Sequence, residues 1–356
     1  MQTVLPLGVA YKDPVNRRKH TTSKRLPQSW LAALALLGCV AALAGCGPTT
    51  FVVGVTPGDQ RLKKTVVARD GRAGGPQVAI IDVSGLIANA ERRGLLRSGE
   101  NPVATLQEKL GEAAADRSVV GVILRINSPG GTVTASDVMH REIERFRLQS
   151  GKPVVALMMD VAASGGYYVS LAADETVAHP TTITGSVGVI VQTISVEPAL
   201  ARLGVRTDAI KSGPNKDAGS PLSTMDAAQR ATLQTLVDDF YDRFLERVRT
   251  ARPGVGPETM AQATDGRVYS GTAAYEMGMV DGVGDLYTAL DRAVDLAGVP
   301  SADLVLYHRP LEYVASPYAQ APAEAGAPQV NLLQLNVDAG LLGDMPAGAY
   351  YLWVGP

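Results

Sequence analysis

From Gln77 onward the chain alternates short, β-branched apolar runs with stretches of helical period, and this alternation constrains its fold more than any other feature. Residues 78–83 and 119–126 are almost continuously apolar. A strand of that kind is apolar on both faces, so both faces must be covered, which is the situation of a parallel sheet flanked by helices. Helices expected over about 102–116 and 135–148 supply such cover. A strand over 153–159, a helix opening near Ser164 and short strands through 175–192 continue the pattern. The expected class is therefore α/β.

Past Asp226 the period becomes purely helical. Leu233, Leu236, Val237, Phe240, Phe244 and Val248 recur at three- and four-residue steps, predicting an amphipathic helix to about Arg252 with an apolar packing face. A shorter helix is expected over 286–297, an Ala/Pro-rich loop over 315–330, and a tail ending Tyr350-Tyr351-Leu352-Trp353 that should dock on another surface.

Composition removes several function classes. With 46% apolar and 19% charged residues over 356 positions, the chain holds a real core and is not disordered. A net charge of −2 leaves no polybasic surface, so nucleic acid is not an expected partner. The two cysteines, Cys39 and Cys46, cannot build a cysteine-based zinc site or a disulfide framework, and no metal or cofactor is expected. Chemistry must come from Ser, Lys, His or carboxylates.

The N-terminus reads as an address. Arg17, Arg18, Lys19, Lys24 and Arg25 precede an apolar run over 30–44, which is too short to span a bilayer and ends in small residues, as an export signal does. Leu43-Ala44-Gly45-Cys46 resembles a bacterial lipobox, in which Cys46 becomes the lipidated first residue of the mature protein. A short signal anchor and an ordinary cleavage site beside a chance cysteine are the alternatives. Loss of residues 1–45 would move the net charge from −2 to about −7. Residues 46–75, rich in Gly, Pro and Thr, are expected to be a flexible tether to a domain over 76–300, with 301–356 as a C-terminal extension.

Two glycine-marked turns follow two buried strands. Asn127-Ser128-Pro129-Gly130-Gly131 exposes backbone amides, and Ala162-Ala163-Ser164-Gly165-Gly166 puts a serine at the start of a helix. Acyl transfer needs an attacking oxygen and donors aimed at the developing oxyanion. Ser164 supplies the first, and the amides of Gly131 and Gly165 supply the second. Each turn alone would be an ordinary strand cap; together they form a candidate site. Among the histidines, His20 lies in the leader, His140 is expected at the surface, and His179 and His308 have no obvious orienting carboxylate. A lysine can act as base where apolar surroundings favour its neutral form, and Lys216, in a Gly/Pro-containing loop, is the candidate, with Lys211 expected to be solvated.

These stretches, with Thr184-Gly185-Ser186-Val187-Gly188-Val189 and the ordered pairs Val268-Tyr269-Ser270-Gly271 and Gly278-Met279-Val280-Asp281, resemble the bacterial signal peptide peptidase SppA family in its single-domain form. The resemblance covers 77–298 and implies a Clp protease/crotonase-like fold, a repeated ββα superhelix with a helical arm after the core. It implies Ser164 as nucleophile, Lys216 as general base, Ser186 as the hydroxyl that orients the lysine, and Gly131 and Gly165 as the oxyanion hole. It also implies a homo-oligomeric ring in which serine and lysine come from neighbouring copies. The substrates implied are hydrophobic peptides such as released signal peptides, and extended peptides are expected to add as a strand beside 127–133. The setting is the bacterial envelope, with the catalytic domain outside the cytoplasm and the membrane reached through lipid on Cys46. Thr132 and His179 stand where the family more often carries other residues.

Three other readings compete. An α/β-hydrolase-type esterase would pair Ser164 with His308 and Asp281 or Asp303. A crotonase-like acyl-CoA enzyme would use carboxylates, and a scaffold of the same fold would be indifferent to Ser164.

Overall fold

The computed structural model describes residues 61–70, 74–90, 100–310, 312, 314–319 and 349–353. The leader, Cys46 and most of the expected tether lie outside the described residues. The central strands β2 (Gln77–Ser84), β3 (Val119–Ser128) and β5 (Val154–Ala163) pair in parallel, as their apolar runs predict. Ala79, Ile81 and Val83 face one apolar cluster, while Val78 and Ile80 face the other, so each strand feeds two cores by simple alternation. Helices α1 (Pro102–Ala115) and α2 (Val133–Ser150) cover the first face. Helix α8 (Leu286–Ala297) covers the second through Leu286, Ala289, Leu290 and Ala293.

Local chemistry sets the helix ends. Asn101 caps α1 by accepting from the Val103 and Ala104 amides, with Pro102 at the first helical position. Thr132 caps α2, and Gly151 ends it in a left-handed conformation. Helix α3 (Gly165–Ser170) follows β5, then come β6 (Glu175–Ala178), β7 (Ile183–Gly185) and the short helix α4 (Glu197–Arg202). Helix α5 (Ala227–Ala251) opens with a capping box between Asp226 and Gln229. Helix α6 (Pro257–Ala263), β8 (Val268–Ser270), α7 (Gly271–Glu276) and β9 (Gly282–Val283) precede α8.

The sheet is larger than the sequence pattern suggests. Its path runs β1-β10-β2-β3-β5-β6-β9, with β7 on β5 and β8 on β7. Strand β1 (Lys63–Ala68) comes from the expected tether, where Thr65-Val66-Val67 supplies β-branched residues to the sheet edge. Strand β10 (Asp303–His308) comes from the expected C-terminal extension; it is buried throughout and pairs with β2 in parallel and with β1 antiparallel. The core therefore takes in residues 63–308.

Arg125 and Asp82 lie opposite each other on β3 and β2 and form a two-pronged ion pair at 2.5 and 3.0 Å. The remaining guanidinium donors reach the carbonyls of Pro317 at 2.6 Å and Ala319 at 2.9 Å, so part of the expected Ala/Pro loop is held on the sheet. Helix α5 departs from its expected role along half its length. Phe244, Leu245 and Val248 are buried, but Leu236 is exposed and Leu233 and Val237 are only half-buried.

Candidate active site

The two glycine turns meet. Strand β3 runs through Pro129 into β4 (Gly130–Thr132), and β5 runs through Ser164 into α3. The first turn is braced by Asn127, which accepts from the Val161 amide at 3.1 Å, and by the Ser128 hydroxyl, which donates to the Gly85 carbonyl at 2.6 Å. Gly130 adopts φ +106°, and a Cβ there would stand 2.7 Å from the Gly165 nitrogen. A Cβ on Gly165 would stand 3.1 Å from the Gly130 Cα and 2.5 Å from the Ser136 hydroxyl. Only glycine at these two positions permits the turns to touch.

Ser164 sits at φ 51°, ψ −113°, and its amide donates to the Gly185 carbonyl at 2.8 Å. Ser186, the next residue along β7's path, sits at φ 50°, with its amide on the Arg267 carbonyl at 2.7 Å. These are the only non-glycine residues of positive φ among the described residues, and the β5–β7 register, Ala163 opposite Gly185, places them side by side. Strain of this kind costs about 1–3 kcal/mol per residue and concentrates where geometry serves chemistry. The Ser164 hydroxyl is buried, with the residue 1% exposed, and has no hydrogen-bond partner among the described residues.

The tail docks here. Strand β11 (Tyr350–Leu352) pairs antiparallel with β4, with Tyr351 opposite Gly131. The Val133 amide bonds the Ala349 carbonyl at 3.2 Å, and the Trp353 amide bonds the Pro129 carbonyl at 2.8 Å. Antiparallel alternation then makes Tyr351 and Gly131 the intervening hydrogen-bonded pair, so the Gly131 N–H faces the Tyr351 carbonyl. The same oxygen lies 3.0 Å from where a Gly165 Cβ would be. On its other side the tail exchanges two backbone bonds with Ile190, at 3.0 and 3.1 Å. The strand expected beside 127–133 is thus occupied by the chain itself.

Tyr351 is buried in an aromatic pocket that the sequence reading did not identify. Its ring stacks on Tyr168 at 5.1 Å and lies 4.6 Å from Phe244, and its hydroxyl donates to the Phe240 carbonyl at 2.7 Å. The signals were present in the aromatic tail and the Phe240/Phe244 stripe, but nothing in the sequence paired them. Behind Tyr168 lies His140, at 5.2 Å between ring centroids. It is buried rather than at the surface, because α2 turns it toward α3 beneath Tyr168. Burial outweighs the pull of Glu144 and holds its pKa down at about 4, so it is neutral near pH 7. The Tyr168 hydroxyl donates to Asp137 at 2.7 Å; burial, then that carboxylate, pushes the phenol's pKa up.

Lys216 is placed apart. It lies in an exposed turn whose backbone closes from the Lys216 amide to the Gly213 carbonyl at 3.3 Å, and no hydrogen bond or ion pair of its ammonium occurs among the described residues. Lys211, expected to be simply solvated, pairs with Asp217 at 2.6 Å, and Gln229 donates to the same carboxylate at 2.9 Å. The structure brings together Ser164, Gly165, Gly131 and Ser186 but does not bring Lys216 to them within one chain. His308 is on β10, bonded to Thr65 at 2.9 Å and to the Arg309 carbonyl at 2.8 Å, with β2 and β3 between it and β5. Asp303 is on the same strand, and Asp281 pairs with Arg252, so the esterase triad is not assembled. Among the described residues no group of three or more His, Cys, Asp or Glu could hold a metal.

A buried serine hydroxyl at a glycine turn that touches a second glycine turn, with a peptide carbonyl against the Gly131 amide, has the form of an acyl-transfer centre of the serine-nucleophile class. The model of peptidase family S49 matches residues 146–300. Protease 4 of Salmonella typhi is 34% identical over 231 residues, covering 64% of this chain and 37% of that protein. A putative protease of Synechocystis sp. is 34% identical over 223 residues, covering 63% of this chain and 75% of that protein. A putative signal peptide peptidase SppA of Enterococcus faecium is 32% identical over 219 residues, covering 62% and 63%. The chain belongs to peptidase family S49. It spans little more than a third of the length of the Protease 4 relatives it matches. Of solved structures, a ClpP1 from Listeria monocytogenes aligns over 59% of this chain and 93% of its own at 16% identity and a TM-score of 0.38.

Proposed function

We propose that the chain is a serine endopeptidase in which Ser164 attacks the peptide carbonyl and the Gly131 and Gly165 amides receive the oxyanion. The observation that carries this is the register of β11, which lays the Tyr351 carbonyl against both turns beside an unpartnered buried hydroxyl. Lys216 accepts the serine proton and returns it to the leaving amine, and water then hydrolyses the acyl-enzyme. Ser186, beside Ser164, orients the lysine.

Lys216 reaches the site from a neighbouring copy. Residues 190–222 carry Ile194, Leu203, Val205, Ile210 and Leu222 uncovered in the single chain, and α4 buries none of its residues. A second copy laid on this surface would cover those side chains and supply the apolar surroundings in which a lysine amine loses its proton. Hydrophobic peptides such as released signal peptides suit a groove that already buries Tyr350, Tyr351 and Leu352. We place the enzyme in the bacterial envelope, held by lipid on Cys46. No helix among the described residues is long and apolar enough to cross a membrane.

Fluorophosphonate labelling read by intact mass tests the site. One adduct is expected on the wild-type chain and none on Ser164→Ala, while Lys216→Ala should label at least a hundredfold more slowly. Labelling of Ser164→Ala at the wild-type rate would overturn the assignment.

A further inference from the structure

A second cavity, of about 250 Å³, has no part in the peptidase chemistry. Helix α2, the segment between α3 and β6, and the C-terminal end of α5 enclose it, and none of Ser164, Ser186, Gly131 and Gly165 lines it. His140, whose ring centroid is 5.2 Å from that of Tyr168, is part of the lining, whereas Tyr168 is not. We propose that this cavity binds a small zwitterion of the amino-acid type, with its carboxylate on Arg247 and its ammonium group on Glu144.

Charge decides the class of guest. Three arginines and three carboxylates line the cavity, and His140 is neutral near pH 7, so the lining sums to zero. Two of the three ion pairs are closed. Arg252 donates to Asp281 at 2.7 Å and to the Thr176 hydroxyl at 3.0 Å, and the other Asp281 oxygen accepts from the Thr176 amide at 2.8 Å. Arg147 pairs with Asp174 and donates to the Ala172 carbonyl at 2.7 Å, while the other Asp174 oxygen accepts from the Val154 amide at 2.8 Å.

The third pair is open. Arg247 comes no closer to Glu144 than 3.8 Å, and the other Glu144 oxygen is 3.4 Å from His140 Nδ1, a buried atom without a hydrogen bond among the described residues. Hydrogen bonds between full charges close to about 2.7–2.9 Å, so this carboxylate and guanidinium are left short of partners. Their side chains are 39% and 27% exposed, which keeps both within reach of a guest. Arg247 also lies against Tyr168, but a guanidinium carries five donors and has others to offer.

A simple anion on Arg247 would meet the Glu144 charge close by, and a simple cation on Glu144 would meet Arg247. A guest carrying both charges satisfies the two together and leaves the sum at zero. Leu171, Ala173 and Ala251 make part of the lining apolar, which suits a short aliphatic side chain. Glu144 belongs to α2 and Arg247 to α5, so the bound zwitterion would tie the base of α5 to α2.

L-Alanine and its two halves, propionate and ethylamine, test the site on the full chain carrying Ser164→Ala, so that binding is read without turnover. Equilibrium dialysis should show L-alanine bound with millimolar affinity and either half at least about tenfold weaker. At ten times its Kd, L-alanine should raise the melting temperature by about 2–4 °C. Glu144→Gln and Arg247→Gln should each weaken L-alanine at least about tenfold. Propionate or ethylamine binding as well as L-alanine would overturn the zwitterion assignment, as would L-alanine binding unchanged in both variants. Absence of L-alanine binding at about 10 mM would remove the site altogether. All of these outcomes are independent of whether Ser164 is the nucleophile, which fluorophosphonate labelling decides.

Discussion

The nucleophile turn and the lysine arm are built in opposite ways. Around Ser164 every neighbour is fixed: β5, β7 and β4 converge, two glycines permit contact, and the hydroxyl is enclosed. Around Lys216 the chain is a series of turns with apolar side chains such as Ile210 facing outward, and no hydrogen bond or ion pair of the lysine ammonium occurs among the described residues. Strain is stored in the first region, at Ser164 and Ser186, and uncovered apolar surface in the second. On the proposed reading, the first region is the finished half of a site shared between copies and the second is the half that a neighbouring copy would receive. If the proposal holds, the difference teaches that the sheet fixes where the reaction happens, while assembly fixes whether it can.

That contrast can be broken at several points. Gly130→Ala strikes the finished half hardest. The new Cβ would stand 2.0 Å from the Tyr351 carbonyl oxygen and 2.7 Å from the Gly165 nitrogen, at a φ that disfavours alanine. Peptide turnover should fall by more than a hundredfold, and stability by about 1–3 kcal/mol in urea melts. Arg125→Ala, away from the site, should cost about 3–5 kcal/mol by leaving Asp82 without its partner, while the folded fraction keeps its turnover.

His140 sharpens the comparison through pH. Its folded pKa lies below the unfolded value, so the unfolded state binds more protons between pH 6.5 and about 4. The contribution of the neutral ring is therefore complete above pH 6.5 and is lost as pH falls toward 4, by about 3 kcal/mol at most. Glu144, Asp137 and Arg247 face the same ring, so the difference between wild type and His140→Phe isolates it. Urea midpoints of the two should converge in acid-induced loss only if the histidine is not responsible. The smallest effect belongs to the arm: Ile210→Ser, at a fully exposed residue, should change single-chain stability by under about 0.5 kcal/mol while weakening assembly measured by light scattering.

The interior strands were legible because a run such as residues 78–83 satisfies both sheet faces and has no good alternative. That the turns carrying Ser164, Gly131 and Gly165 form one candidate site was legible because glycine turns after buried strands are local features, and the structure brings the two turns into contact. The edges were not. Thr65-Val66-Val67 is too short a signal to stand out within a Gly- and Thr-rich stretch, and β10 declares itself only through pairing with β2. Tyr351's position depends on a partner more than 200 residues earlier in the chain, and no local period encodes such a register. His140 looked solvated because its helix is charged, yet the helix face it occupies is covered by Tyr168.

The central claim is that Lys216 serves the Ser164 of another copy. Unfolding, mixing and refolding equal amounts of Ser164→Ala and Lys216→Ala chains tests it most directly, with peptide cleavage as the readout. Each variant alone should be inactive. Random mixing places an intact serine beside an intact lysine at about a quarter of the junctions, so about a quarter of wild-type turnover should return. Mixed assemblies, verified by native mass spectrometry, that show no activity above either variant alone would contradict the claim.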